Sequence, residues 1–161
     1  MAQAAFINDP QFALFLSDVG KWYPSVAETA LRAGSAVIAD EMKKNLSGVL
    51  SPKATGQLID SFGITPIRQN RDSNWNLHIG FDGYQQPGDV AFQLIARSFE
   101  SGAVIGGRRK KAKSEMEYWR KPTRFASKAV KAKRAEAEAK MKEAAERAME
   151  ELLRTGGGTG G

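Results

Sequence analysis

Apolar and polar positions alternate with two different periods along this chain, and the changes of period mark its elements. In DPQFALFLSDVGKW, Phe12, Phe15, Leu16 and Val19 recur at helical spacing behind Asp9 as a cap and Pro10 at the first helical position, predicting a short amphipathic helix that ends near Gly20. YPSVAETALRAGSAVIADEMKKNL predicts a longer helix over 24–47. Pro24 stands at its start, and Lys43 and Lys44 lie in its last turn, where cations suit the helix dipole. Its apolar stripe is Ala27, Ala30, Leu31, Gly34, Val37, Ile38 and Met42. The glycine and alanines make that stripe shallow, so a sheet or helix can approach closely.

Period two takes over after LSGVLSPKATGQ, a loop by its Gly, Ser and Pro content. SFGITPIRQ predicts a strand with Phe62 and Ile64 on one face, and Pro66 calls for an edge position or a bulge because it has no N–H to give a ladder. After the turn QNRDSN, WNLHIGF places Trp75, Leu77, Ile79 and Phe81 on one face and Asn76, His78 and Gly80 on the other. The two strands pair most simply as an antiparallel hairpin. DGYQQPGD reads as a loop, and VAFQLIARSFESG as a helix over 90–100 with Phe92, Ile95, Ala96 and Phe99 at helical spacing and Gly102 as its stop.

From Pro122 to Arg154 the pattern is helical again, rich in alanine. Glu136–Lys140, Glu138–Lys142, Glu143–Arg147 and Glu150–Arg154 all stand at i, i+4. At about 1.5 Å per residue such a helix extends about 50 Å. Its apolar stripe is thin before Met141, Ala145, Ala148, Met149 and Leu152. So polar a helix is expected to project from the body and pack on partners. TGGGTGG reads as a flexible tail. The pattern thus predicts a short N-terminal helix in 1–23, an α+β core over 24–102, a basic arm at 103–121, a long helix over 122–154 and a Gly-rich tail at 155–161.

Composition adds limits. At 161 residues and 42% apolar, the chain suits one domain with a modest core. No apolar run approaches the ~20 residues of a membrane span, and MAQAAFINDPQF lacks the basic start and apolar centre of a secretory signal. Cysteine is absent, which excludes disulfides, thiol chemistry and Cys-based metal sites.

Charge changes the picture more. Residues 1–102 carry 8 basic and 10 acidic groups, whereas 103–161 carry 16 and 8. Within 108–134 the count is 12 basic to 2 acidic, a local patch suited to nucleic acid or to an acidic protein surface.

Candidate chemistry is sparse. His78 is the only histidine; it falls on the polar face of a strand, with no cysteine or second histidine to share a metal. Asp60 with Ser61, or Asp82 with Asp89, would be acid–base pairs only if held in a pocket, and all lie in turns, where carboxylates commonly bond backbone groups. GGRRK lacks the spacing of a phosphate loop. No catalytic set, cofactor site or metal site emerges, so the reading is of a protein that is not an enzyme.

The richest stretch is GGRRKKAKSEMEYWRKP, residues 106–122. Arg108, Arg109, Lys110, Lys111 and Lys113 would neutralise phosphates, with Tyr118 and Trp119 stacking on bases, in sequence-independent nucleic-acid binding. Alternatively the arm orders against an acidic neighbour in an assembly, with the two aromatics as anchors. A solvated loop with Trp119 packed on the sheet is the third reading.

Several stretches, in order, resemble one family. ALRAGSAVIADEMKKN is similar to its first long helix, ATGQLIDSF to its TG-x-Leu-x-x-Ser lead into the sheet, and LHIGFDGY to its Gly-containing strand and Gly-Tyr loop. ARSFESGA is similar to its Glu-Phe-Gly helix ending, with Glu100-Ser101-Gly102 standing there, and KPTRFASKAV to its Pro-x-x-Phe-x-x-x-Ala lead into the last helix. The family is the tail-completion proteins of long-tailed bacteriophages, also called head–tail joining or neck proteins, and the likeness covers roughly residues 26–153.

The resemblance implies an α+β fold, with a long helix packed on a small antiparallel sheet, a second helix and a long C-terminal helix. It also implies a structural virion protein without catalytic activity. As a connector subunit it would form a homo-oligomeric ring, usually a hexamer, between the head-side, portal-associated connector and the tail tube or its terminator. Virion assembly in the bacterial host cytoplasm would place it in the neck, with DNA passing through its channel and no membrane contact.

Overall fold

The computed structural model describes residues 10–11, 23–51, 56–72, 74–105 and 118–156. The chain is α+β; the helices whose bounds lie within the described residues are α1 (Pro24–Val49), α2 (Gln57–Asp60), α3 (Phe92–Ser101) and α4 (Phe125–Gly156). Among the described residues, eight short strands form four antiparallel ladders of two strands each. They are β1 (Phe62–Ile64), β2 (Arg68–Gln69), β3 (Trp75–Asn76), β4 (Ile79–Phe81), β5 (Tyr84–Gln85), β6 (Val90–Ala91), β7 (Ala103–Ile105) and β8 (Tyr118–Arg120). Of the helix expected over 9–20, Pro10 and Gln11 are helical; the rest of it, and the glycine tail beyond 156, lie outside the described residues.

α1 begins at Pro24 as its sequence predicts and runs to Val49, so Lys43 and Lys44 stand short of its last turn. Its buried positions are Val26, Ala27, Ala30, Leu31, Gly34, Ser35, Ile38, Ala39, Met42 and Leu46. This set is wider than the single stripe expected, because the helix is covered on two sides. β1 and β3 meet one side and α4 lies along the other. Ser35, fully buried, places its hydroxyl on the Arg32 carbonyl at 3.0 Å, which satisfies the one buried hydroxyl on this helix locally.

The hairpin follows the alternation and breaks where proline requires it. Phe62, Gly63 and Ile64 pair with Phe81, Gly80 and Ile79. The Thr65 N–H continues the ladder to the His78 carbonyl at 2.8 Å. Beyond that, Arg68 pairs with Asn76 and Gln69 with Trp75. Pro66 and Ile67 therefore stand opposite Leu77 alone, a β-bulge at the residue that cannot donate. The bulge lies on the first strand, so the second keeps its alternation, and Trp75, Leu77, Ile79 and Phe81 all pack against the core. Phe62 and Phe81 meet edge to face at 5.2 Å, and Phe81 in turn meets Phe125 at 6.1 Å. α3 starts two residues later than its spacing suggests, since Val90 and Ala91 pair with Gln85 and Tyr84 first.

The C-terminal helix corrects the sequence-based expectation. It does not stand away from the body: it packs along α1 within the same chain. Met141 lies against Gly34, and Asn45 Nδ2 donates to the Phe125 carbonyl at 3.1 Å, so the two helices run antiparallel. Phe125, Ala129, Ala137, Met141 and Ala145 are all buried, and the core is shared between α4 and residues 24–102. Alanines at i, i+4 bury little area each, but they let the backbones close up. A Cβ on Gly34 would sit 2.6 Å from Met141 Sδ and 3.3 Å from the Ala137 carbonyl oxygen. The glycine is the socket for the methionine. Only the last turns of α4 emerge, with Leu153 74% exposed.

Candidate functional site

The basic segment grows from the joint between α3 and α4. Gly102 ends α3 at φ 78°, a left-handed conformation that favours glycine, and turns the chain into β7. β7 and β8 are antiparallel, with Ala103 opposite Arg120, Val104 opposite Trp119 and Ile105 opposite Tyr118. Residues 106–117 therefore connect two paired strands, closed by the Ile105–Tyr118 pair.

The base of this stem is braced on α3. The Arg120 guanidinium lies 4.1 Å from the centre of the Phe99 ring, and its Nη1 donates to Ser98 Oγ at 3.1 Å. Past Pro122, the backbone N–H and hydroxyl of Thr123 both donate to the Phe99 carbonyl at 2.8 Å. The Arg124 N–H reaches the Glu100 carbonyl at 3.2 Å, with Arg124 itself at φ 54°. That left-handed residue explains why α4 opens at Phe125 rather than at Pro122: the chain must turn before it can coil.

Glu100 completes the joint. Its Oε2 accepts the Ala126 N–H at 2.9 Å, and its Oε1 accepts the Ser127 N–H at 3.1 Å and the Ser127 hydroxyl. The first turn of α4 is thus capped by a carboxylate from another helix, satisfying two donors that have no partner in their own helix and placing negative charge at the positive end of the dipole. Glu100, Ser101, Pro122, Arg124 and Ser127 line an open depression there.

Charges on α4 fall into two regions. From Lys133 onward cations meet glutamates: Lys133 with Glu136, Arg134 with Glu138 at 3.2 Å, Lys140 with Glu143 at 3.0 Å, and Arg147 with the same Glu143. Of the pairs expected from spacing, Glu143–Arg147 forms, while Glu136 reaches back to Lys133, and Glu138 also meets Arg134. The hydrogen bond from Lys140, reinforced by the charge of Arg147, holds the Glu143 carboxyl below its ordinary value. The hydrogen bond to Glu136 holds Lys133 above its own. Upstream of Lys133 there is no such pairing. Residues 118–135 contain no Asp or Glu, and Lys121, Arg124, Lys128 and Lys131 are exposed, with no ion pair among the described residues.

Arg108, Arg109, Lys110, Lys111 and Lys113 lie outside the described residues. Tyr118 and Trp119 fall in β8, beside Ile105 and Val104. The other candidates hold local bonds. The His78 N–H donates to Thr65 Oγ1 at 2.9 Å, Asp82 Oδ1 accepts the Gly83 N–H at 2.9 Å, Asp89 Oδ1 accepts from Gln86 at 2.8 Å, and the Ser61 hydroxyl donates to the Leu58 carbonyl at 2.8 Å. Among the described residues no three His, Asp or Glu side chains gather as a metal cluster would need, and no helix is long and apolar enough to cross a membrane.

Sequence reasoning placed Arg120, Lys121, Arg124, Lys128 and Lys131 within the basic patch 108–134 without naming them singly, and the want of any acid between Glu117 and Glu136 is legible there. No protein-family model, curated protein or solved structure matches this chain.

Proposed function

We propose that this chain is a structural subunit of a bacteriophage head–tail connector, a ring-forming tail-completion protein that joins the head-side connector to the tail tube. The observation that carries the reading is the α3–α4 joint. Two of the stretches on which the family resemblance rests, ARSFESGA and KPTRFASKAV, are far apart in sequence and meet there through the Glu100 carboxylate on the Ala126 and Ser127 amides. The remaining stretches fall on α1, on α2 with β1, and on β4 with β5, in the order the family has them. From that joint springs a braced two-stranded stem carrying the basic segment, an arrangement suited to reaching a neighbouring subunit or the tail tube while the body stays compact.

The function is structural in this reading, the partners are further copies of the chain and the neck components above and below it, and the location is the virion neck. The test replaces Arg108, Arg109, Lys110, Lys111 and Lys113 with Gln in the phage that encodes the chain. Heads and tails should then accumulate unjoined while the purified variant keeps the wild-type thermal transition. Particles that join normally would show that the arm has no part in joining.

A further inference from the structure

We infer that the exposed cationic stripe Lys121–Arg124–Lys128–Lys131, which starts at the last residue of the arm and runs onto α4, is a surface for the phosphates of a nucleic-acid duplex. Three observations carry this.

The stripe makes no ion pair among the described residues, whereas ion pairs along α4 begin at Lys133. It is also placed against local stability. Lys128 and Lys131 stand in the first two turns of α4, where cations oppose the dipole, and set like charges at i, i+3, with Arg124 just ahead of the helix. Among the described residues none of those four groups has an ion-pair partner, and the Glu100 carboxylate is already bonded to the amides of Ala126 and Ser127. Four cations kept uncompensated on an open face, at a cost to the helix, point to an anionic partner outside the chain.

The third observation selects the partner. A second copy is itself basic, with a formal net charge of +6, and so attracts a cationic stripe less than a polyanion does. Residues 1–102 carry only two acidic groups more than basic ones, and Glu28 is bound to Arg32, Asp89 to Gln86 and Glu100 to α4. A duplex carries a negative charge every ~1.7 Å. The seven steps from Arg124 to Lys131 span about 10 Å, so Arg124, Lys128 and Lys131 can face phosphates of one backbone, with Lys121 just before them. No base-reading motif is present, so recognition is of charge alone. The inference rests on the connector reading only for the origin of the duplex, the DNA that traverses the channel, and it then states which face of the subunit turns inward.

The experiment compares three full-length proteins for binding to a fluorescein-labelled 30-base-pair duplex across a salt series. One is the wild type. The second carries Lys121→Gln, Arg124→Gln, Lys128→Gln and Lys131→Gln. The third removes the same charge elsewhere through Lys43→Gln, Lys44→Gln, Arg71→Gln and Arg154→Gln. Each phosphate contact contributes about 0.9 to the slope of log affinity against log salt. The stripe variant should therefore lose about 3 from the magnitude of that slope and at least about tenfold in affinity near 0.1 M salt, with the third protein close to wild type. The pair Lys128→Gln/Lys131→Gln, measured alone, should lose about half as much slope, and both stripe variants should melt no lower than wild type.

Equal losses in the second and third proteins would reduce the effect to net charge and overturn the inference. So would absence of wild-type binding near 50 mM salt, or binding to anionic vesicles without binding to duplex. A stripe variant that loses self-association but keeps duplex affinity would assign the stripe to a second copy instead. Sedimentation of the wild type without DNA reads the ring separately, so failure of the ring and failure of the stripe are distinct results.

Discussion

If α4 belongs to the core of the single chain, Met141→Ala must be costly and must couple to Gly34. On a solvated, projecting helix the change would be neutral or stabilising by a few tenths of a kcal/mol, since alanine is the better helix former. Here Met141 is fully buried, and one turn on either side of it stand Ala137 and Ala145, also fully buried. Their methyls cannot swing into the vacated volume. The loss should therefore be about 3 kcal/mol, within the range for truncating a buried Met to Ala.

Gly34→Ala tests the other half of the contact. In an exposed helix interior it would gain about 1 kcal/mol. In this fold the new methyl would lie 2.6 Å from Met141 Sδ, so an overpacking cost of about 1–3 kcal/mol competes with that gain and the net change is zero or a loss. In the double variant the Met141 Cγ and Sδ are gone, and only the Ala137 carbonyl oxygen remains near, at 3.3 Å. The added methyl then fills space instead of clashing. Gly34→Ala should become stabilising in that background, with a coupling of about 1–3 kcal/mol between the two sites. Urea unfolding of the four proteins, followed by circular dichroism at 25 °C, measures all three quantities. A loss under about 1 kcal/mol for Met141→Ala together with additive double-variant behaviour would refute the docked helix.

Two further predictions concern the joint. Glu100→Ala leaves the Ala126 and Ser127 amides without their carboxylate and should cost about 1–2 kcal/mol in urea unfolding, the usual range for a lost cap. Glu100→Gln, which keeps an acceptor but not the charge, should cost less, and equal stability of all three proteins would sink the capping role. Arg120→Ala removes the guanidinium from Phe99 and Ser98 and should speed hydrogen exchange at the β7 and β8 amides without a matching change in α1. Unchanged exchange in that ladder would mean that the brace does not hold the stem.

What the sequence determined by itself is what depends on neighbours a few residues away. Pro24 set the start of α1, the alternation from Trp75 to Phe81 set the buried face of the hairpin, and Pro66 called for an edge position or a bulge because a missing N–H acts wherever it stands. Gly102 marked the end of α3 for a similar reason, through its freedom at positive φ. Gly34 and the alanines of α1 signalled a close approach without saying by what.

That partner was a tertiary matter. Alanines 129, 137 and 145 carry so little apolar area that the helix reads as solvated until another backbone comes close enough to cover them. Likewise Glu100 is one acid among 18 until the fold brings it onto the first turn of α4, and Arg120 is one more cation of a basic run until Phe99 lies beneath it. The unpaired stripe is intermediate. Its lack of nearby acids is written in the sequence, but only packing shows that, among the described residues, no distant carboxylate comes to meet it. Local spacing sets which faces a segment has; long-range contact sets what each face meets, because the free energy of burial and of charge pairing is a property of two surfaces.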